Sequence, residues 1–193
     1  EAAINISDLP ICVSAVKPKL FVEAVRAGAL LLEIGNYDSF YDQGIKFSVE
    51  EIIVMTKETK DLLPEIPLSV TVPHYIPLDR QVDFATRLIN EGVDIIQTEG
   101  GRSSHPNYSG IQGLFEKAVP TLAATSSIFK EFSKNNIKNP IMSASGLSRV
   151  TCPLAIACGA SALGVGSVVN KLDNAVAMIA EIRGLKESIE NSS

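Results

Sequence analysis

The segment EGVDIIQ, residues 91–97, contains a sequence pattern that recurs along this chain: the end of an amphipathic stretch is followed by a glycine and then by a short apolar run. A glycine after a helix supplies a left-handed cap. An apolar run that barely alternates is typical of a strand buried on both faces. The same order recurs in AGALLLEIG, residues 27–35, and in CGASALGVG, residues 158–166. The sequence therefore predicts helix, cap and buried strand as a repeating unit.

Three further apolar segments, 10–16, 67–73 and 140–145, complete a set of six candidate strands, and helical periodicity follows each one. Pro18 stands near the start of one helix, and Ser48 with Glu51 forms a capping box before the next. We interpret Pro120 as a first-turn residue of another helix that runs to Phe132, although residues 121–127 also suit a seventh strand.

Repeated β/α alternation leaves a doubly wound open sheet or a closed (β/α) barrel. A dinucleotide-binding sheet has GxGxxG in its first βα loop, and this chain has no such run. We therefore predict a TIM (β/α)8 barrel. Because these barrels have eight strands in about 200 to 250 residues, we expect the first two strands to be missing. Residues 1–193 would then be a single domain, the C-terminal three quarters of the barrel.

The composition is that of a folding chain, with 46% hydrophobic residues and a net charge of -5 from 17 basic and 22 acidic residues. A mildly acidic total gives no attraction for nucleic acid, and no apolar run is long enough to cross a membrane, so we expect neither partner. The cysteines at 12, 152 and 158 form no CxxC pair and predict no zinc site or disulfide framework. We interpret Cys12 as buried in its strand and unreactive.

Two Gly/Ser segments follow the last two predicted strands, where TIM barrels frequently bind phosphate. They are SASG, residues 143–146, and GVGS, residues 164–167. Glycine lets backbone N–H groups approach an anion, serine adds hydroxyl donors, and a helix beginning beyond Ser167 would add its positive end, with Lys171 in reach. The predicted anion-binding residues are Ser145, Gly146, Gly164, Gly166 and Ser167. The alternative is that small residues only fit a narrow rim.

Glu33, His74 and Glu99 come at or just after predicted strand ends. Two carboxylates and an imidazole that face one cavity could move protons near neutral pH, so we predict these three as the catalytic residues. Alternatively, the carboxylates accept backbone N–H bonds or pair with a lysine such as Lys17, and the imidazole satisfies a loop carbonyl. No ligand spacing supports a metal site. The polar segment 100–107 is either a lid over the site or a solvated loop.

Six blocks of sequence resemble a known family. They are PICVSAV at 10–16, EIGNYDSFY at 33–41, SVTVPH at 69–74, DIIQTEGG at 94–101, SASGLS at 143–148 and GVGS at 164–167. In this order they resemble the hypothetical chloroplast reading frame twenty-three family of algal plastids and cyanobacteria. The resemblance implies an aldolase-type TIM barrel in the chloroplast or plastid stroma, with two further strand–helix units before residue 1. It implies no particular reaction.

Two functions follow from these observations. The first is an enzyme that binds a small phosphorylated metabolite at the five anion-binding residues and acts on it as an isomerase, a lyase or a synthase. The second is a non-catalytic barrel in the plastid that binds a nucleotide, a flavin or a protein. Neither the residues nor the resemblance specifies a cofactor or an oligomeric state.

Overall fold

Strands and helices alternate along the chain, as predicted. The computed structural model describes residues 5–41, 43–100 and 106–190. The elements, in chain order, are β1 (Cys12–Ser14), α1 (Pro18–Arg26), β2 (Leu31–Ile34), α2 (Asp38–Tyr41), α3 (Val49–Leu62), β3 (Leu68–Val72), α4 (Leu78–Asn90), β4 (Ile95–Thr98), α5 (Gly110–Lys134), β5 (Ile141–Ala144), α6 (Cys152–Ala157), β6 (Ala162–Gly164), α7 (Ser167–Asn170) and α8 (Ala175–Glu190).

The strands form one six-stranded sheet in the sequential order β1 to β6. Parallel pairing aligns Glu33 of β2 with Ser69 of β3, and Ala144 of β5 with Gly164 of β6. Strands β5 and β6 therefore end at the same level, and their following loops start side by side, whereas β3 continues past Val70, the residue opposite the end of β2, to Val72. The six predicted strands are confirmed, and the two further strands before β1 stay a prediction.

The chain forms two compact units, Glu1–Val72 with Asp83–Ile96, and Pro73–Val82 with Gln97–Ser193. In the first unit, fully buried apolar side chains come from strands and from helices, among them Phe21, Leu32, Ile52 and Leu68. Strand β3 is buried along its whole length, as expected for a strand covered on both faces, so Ser69 and Thr71 are buried together with its apolar residues. That residues 1–193 form a single domain stays a prediction.

Asp94 ties strand β3 to the chain before β4 in the first unit. Its Oδ2 accepts the backbone N–H of Leu68 at 2.8 Å and the ammonium of Lys60 at 3.2 Å. Both contacts lie at the N-terminal ends of the strands. Contacts at the N-terminal ends of the strands stabilise a (β/α) fold, because the functional residues of such folds come from the C-terminal ends.

In the second unit, seven buried residues from four helices and the segments around them form one apolar cluster. These residues are Ala118, Leu147, Cys152, Ala155, Ala160, Val169 and Leu185. Burial and the charge of Glu181 raise the pKa of the Cys152 thiol to about 11. Among the residues that the structure describes, no helix combines the length and the apolar character needed to span a membrane.

The predicted capping box is present at the start of α3. The backbone N–H of Ser48 donates to Glu51 Oε2 at 2.7 Å, and the backbone N–H of Glu51 donates to Ser48 Oγ at 3.3 Å. Two hydrogen bonds lower the pKa of the Glu51 carboxyl: the bond from the Ser48 hydroxyl has the larger effect, and the bond from the Ser48 backbone N–H has the smaller one. The sequence motif thus fixes where this helix begins.

The interpretation of Pro120 as a first-turn residue is wrong. Helix α5 begins ten residues earlier, at Gly110, and contains Pro120 in its interior. A proline inside a helix removes one backbone hydrogen bond without forcing the helix to stop. The Glu116 carboxylate accepts the backbone N–H groups of Asn107 and Tyr108 and so holds the chain ahead of the helix start. The bond from the Asn107 N–H is the main cause of a lowered Glu116 pKa.

The prediction that Cys12 is buried is also wrong. Strand β1 stands first in the sheet order and pairs only with β2 among the described strands, and Cys12 is exposed. Partial desolvation of the thiol, together with the charge of Glu33, nevertheless raises the Cys12 pKa to about 11. A thiol with this pKa is almost entirely protonated at neutral pH, so it is a poor nucleophile there.

Candidate functional site

His74 and Glu99 are brought together in the second unit. One oxygen, Oε2 of Glu99, accepts the backbone N–H of His74 at 2.9 Å and lies 2.7 Å from the imidazole Nδ1. Only 6% of the Glu99 side chain is exposed, against 25% for His74. An ionised carboxylate can only accept, so we assign the proton of the neutral ring to Nδ1 and the lone pair to Nε2.

The positions of His74 and Glu99 relative to the strands explain this pairing. Glu99 directly follows β4, and His74 follows β3 after Pro73, so both lie at the C-terminal ends of strands. The double contact to one oxygen fixes both the backbone and the ring of His74. A carboxylate that orients an imidazole through Nδ1 is a common arrangement for a general acid or base that works through Nε2.

Ser145 lies against the residue that follows Glu99. A Cβ at Gly100 would stand 2.8 Å from Ser145 Oγ and 2.9 Å from Ser145 Cβ, so only glycine fits there. Ser145 and Gly146 both have φ of +73°. A serine in the left-handed region is uncommon and marks a constrained turn. The turn after β5, predicted to bind an anion, therefore touches the segment that carries the acid–base pair.

The other predicted anion-binding residues differ in how closely they are packed. A Cβ at Gly146 would collide with the carbonyl oxygen of Lys117 in α5, and one at Gly164 would lie 2.8 Å from Ala144 Cβ. Gly166 and Ser167 are exposed, and nothing lies within 4 Å of the position of a Cβ at Gly166. The small residues at 146 and 164 are thus required for packing, whereas Gly166 is not.

The helix that begins at Ser167 is too short for the contribution expected of it. Helix α7 has four residues, with Gly166 as its N-cap and Lys171 as its C-cap. So short a helix contributes little of the dipole that a full helix would offer to an anion. Any anion affinity of this segment must come mainly from its backbone N–H groups and the Ser167 hydroxyl. The anion site itself stays a prediction.

Glu33 lies in the first unit, where its neighbours are hydroxyl side chains. The Thr71 hydroxyl donates to Glu33 Oε1 at 3.2 Å, and a Cβ at Gly35 would collide with both groups. Ser69, level with Glu33 on β3, is 1% exposed. Within the described residues, Ser69 Oγ is a buried side-chain atom with no hydrogen-bond partner. The catalytic role of Glu33 stays a prediction.

A buried cluster of hydroxyl groups was not singled out from the sequence. Thr98 Oγ1 lies 2.5 Å from Thr121 Oγ1 and 3.2 Å from Thr125 Oγ1, and Thr121 Oγ1 lies 3.2 Å from Ser143 Oγ. All four side chains are fully buried. The available signal was the pair of threonines four residues apart in an alanine-rich helix, which places both on one face.

The polar segment 100–107 was predicted to be either a lid or a solvated loop. Residues 101–105 of this segment lie outside the described residues. At its end, the backbone N–H of Asn107 donates to Glu116 Oε2 at 2.8 Å. The choice between the two interpretations stays open.

The sequence matches a protein family over residues 2–193, and the family is described as "Protein of unknown function (DUF561)". The chain belongs to this family. A DUF561 relative from Cyanophora paradoxa, "Uncharacterized protein ycf23", is 42% identical over 189 residues, which are 98% of this chain and 75% of that protein. A relative of the same name from Porphyra purpurea is 39% identical over 188 residues, 97% of this chain and 69% of that protein.

The fold of this DUF561 chain is similar to that of solved aldolase-type TIM-barrel proteins. The structure of 2,3-dimethylmalate lyase, a member of the PEP mutase/isocitrate lyase superfamily, aligns with a TM-score of 0.67 and 11% identity over 97% of this chain and 66% of that one. The structure of 3-hexulose-6-phosphate synthase aligns with a TM-score of 0.59 and 15% identity over 91% and 69% of the two chains. At such low identity, these similarities establish the fold alone.

Proposed function

We propose that this DUF561 protein is an enzyme that binds a small phosphorylated carbonyl compound and transfers a proton to or from it through His74. The observation that carries the proposal is the contact of Gly100 with Ser145, because it places the segment holding the His74–Glu99 pair beside the turn predicted to bind an anion. A bound phosphate would fix one end of the substrate, and the imidazole would act on another part of it.

The chemistry assigned to His74 balances without a further reactant. Neutral Nε2 takes a proton from a carbon next to the substrate carbonyl, and the electron pair of the C–H bond moves into an enolate. The imidazolium is stabilised by the Glu99 carboxylate and later returns the proton to the enolate at the same or a neighbouring carbon. Reactions of carbonyl compounds that include a step of this kind occur among isomerases, lyases and synthases.

Similar structures support the choice of substrate class. One of them is 3-hexulose-6-phosphate synthase and another is a phosphoenolpyruvate phosphomutase, and both names contain a phosphorylated compound. We further propose that the protein acts in the plastid, because its relatives carry the name ycf23 and come from algae such as Porphyra purpurea.

The anion site is tested by titrating inorganic phosphate and a panel of sugar phosphates while recording backbone amide spectra. We expect shifts at Ser145, Gly146 and the segment 164–167. Gly166→Asp should weaken binding at least about tenfold, because a like charge costs roughly 1.4 kcal/mol near the anion. Gly166→Asn, of the same shape without the charge, is the control. Both should fold, since position 166 has open space around it. Equal affinity of both variants would contradict the site.

The proton transfer is tested with any compound that the titration identifies. In D2O, we expect the protein to exchange a carbon-bound hydrogen of that compound for deuterium. Glu99→Gln and His74→Gln should slow this exchange by about 10²–10⁴-fold, the range for loss of a general base, and should bind the compound nearly as well. Binding without exchange in the unmodified protein would instead favour a non-catalytic, ligand-binding barrel.

A further inference from the structure

The buried hydroxyl cluster of Thr98, Thr121, Thr125 and Ser143 connects three elements of the second unit. Thr98 is the last residue of β4, Ser143 lies in β5, and Thr121 and Thr125 lie one turn apart in α5. Each hydroxyl can donate once and accept twice, so the cluster can satisfy all of its members internally. Thr98 Oγ1 also lies 3.5 Å from the carbonyl oxygen of Met142.

The location of the hydroxyl cluster, next to the candidate site, indicates a role beyond stability. Burying a hydroxyl costs free energy unless it is hydrogen-bonded, and apolar residues would fill the same space without that requirement. Thr98 immediately precedes Glu99, and Ser143 comes two residues before Ser145. The cluster therefore lies directly behind the two segments that form the candidate site.

Alternation along the strand links Thr98 to Glu99. Successive side chains of a strand point to opposite faces. The Thr98 side chain is held toward α5 by Thr121 at 2.5 Å and by Thr125 at 3.2 Å. Fixing the side chain of Thr98 fixes the end of β4, and this sets the direction in which the next residue, Glu99, leaves the strand.

We propose that Thr98 is a positioning residue for His74: anchored by the hydroxyls of α5, it holds Glu99 where one carboxylate oxygen can bond both the backbone and the ring of His74. The inference rests on the proposed function, in which His74 transfers the proton. Thr98 does not touch the substrate in this scheme and acts only through Glu99.

The test measures by NMR which ring nitrogen of His74 carries the proton, and it needs no substrate. The chain has two histidines, so the ring nitrogen signals of His74 in the intact protein can be assigned by comparison with His105→Gln. Nitrogen-15 spectra distinguish a protonated ring nitrogen from one with a lone pair. In the unmodified protein we expect the Nδ1–H form, with a slowly exchanging proton, and Glu99→Met should lose that signature.

Thr98→Val keeps the shape of the side chain and removes its hydroxyl. We expect it to turn the single Nδ1–H form into a mixture of tautomers, and Thr98→Ser should restore the single form. Thr56→Val is the matched control, because Thr56 is also fully buried and its hydroxyl, among the described residues, donates only to the Ile52 carbonyl of its own helix. Thr56→Val should lower Tm by about 2–4 °C, the shift expected for one lost hydrogen bond, and Thr98→Val should lower it by at least as much, because the Thr98 hydroxyl contacts both Thr121 and Thr125.

The outcomes separate the two proposals. If Thr98→Val lowers Tm as Thr56→Val does and leaves the His74 spectrum unchanged, Thr98 is only structural and the inference is overturned. If Thr98→Val does not fold, the double variant Thr121→Val/Thr125→Val removes both hydroxyls of α5 that anchor Thr98, and an unchanged His74 spectrum in that variant overturns the inference equally. If Glu99→Met, which offers no acceptor oxygen to the ring, leaves the spectrum unchanged, the His74–Glu99 pair is absent, and the proposed function fails with it. A changed spectrum in a protein that exchanges no substrate hydrogen supports the positioning role and rejects the catalytic one.

Discussion

Gly100 and Ser145 are packed so closely that a Cβ at Gly100 would stand 2.8 Å from the Ser145 hydroxyl and 3.0 Å from the Ser145 carbonyl oxygen. The two residues follow β4 and β5, respectively. Their contact joins the end of the segment that carries Glu99 to a turn whose Ser145 and Gly146 both have positive φ. The backbone of one loop thus sets the position of the other.

Gly100→Ala should therefore displace the Ser145 turn. We expect a loss of about 1–3 kcal/mol in the free energy of unfolding, typical of overpacking, and weaker binding of any phosphate compound. Urea unfolding and amide titrations measure the two effects. Gly166→Ala is the matched control for stability, because a Cβ there meets nothing within 4 Å. If Gly100→Ala unfolds like Gly166→Ala and binds phosphate compounds as tightly as the unmodified protein, the contact does not constrain the turn.

The alternation of strands and helices could be predicted from the sequence, because its signals are local. A glycine cap before an apolar run marks a helix followed by a buried strand, and the Ser48–Glu51 box marks a helix start. The start of helix α5 was predicted wrongly, because a proline is disfavoured inside a helix and the sequence does not show that this helix continues through Pro120. Helix α5 continues across Pro120, with buried residues on both sides of it, Ala118 and Thr121.

The candidate site was less predictable, since its contacts join residues far apart in sequence. The strand-end rule selected both His74 and Glu99, but it could not show that they share one carboxylate oxygen. It also missed Thr121 and Thr125, whose importance depends on the Thr98 hydroxyl lying opposite them. The exposure of Cys12 depends on which strands flank β1, which no local pattern encodes.

Asp94 is expected to contribute to stability and not to ligand binding. Asp94→Ala removes the acceptor of the Leu68 N–H and of the Lys60 ammonium. We expect a loss of about 1–3 kcal/mol in the free energy of unfolding, the cost of a buried donor left without a partner. Glu65→Ala, at an exposed position nearby in sequence, should change it by less than about 0.5 kcal/mol. A large loss of phosphate affinity in folded Asp94→Ala would contradict this assignment.

The reactivity of Cys12 should depend steeply on pH. Its pKa is raised from 9.0 to about 11, so at pH 8 its thiolate fraction, and its alkylation by iodoacetamide, should be about 100-fold below that of the unfolded chain. The unfolded state loses its proton first, so this thiol also lowers stability as the pH rises from 9.0 toward 11.

Two comparisons separate the causes of the Cys12 effect. Glu33→Gln removes a nearby negative charge and should speed the alkylation of Cys12 at a given pH. Cys152 has a similarly raised pKa but is buried, so it should stay protected at a pH at which exposed Cys12 already reacts. Mass spectrometry of the cysteine-containing peptides measures both rates. Fast alkylation of Cys12 at pH 8 in the folded protein would show that its thiol is not desolvated.

Replacing Pro120 tests whether the proline is only tolerated or shapes the helix that holds Thr98. Pro120→Ala supplies a backbone N–H for the carbonyl of Glu116, four residues earlier in α5. Because a proline inside a helix is about 3 kcal/mol worse than alanine, and part of this is offset by the stiffer unfolded chain, we expect a gain of about 1–2 kcal/mol in the free energy of unfolding. Urea unfolding measures it.

Pro153 provides the control, because it lies in the first turn of α6, where no helical N–H is lost. Pro153→Ala should leave stability unchanged or lower it by up to about 1 kcal/mol, as expected for a more flexible unfolded chain. If Pro120→Ala lowers stability more than Pro153→Ala does, the missing bond is not a cost in this helix. Pro120 directly precedes Thr121, and such a result would mean that the proline sets the local helix geometry that lets Thr121 and Thr125 reach Thr98.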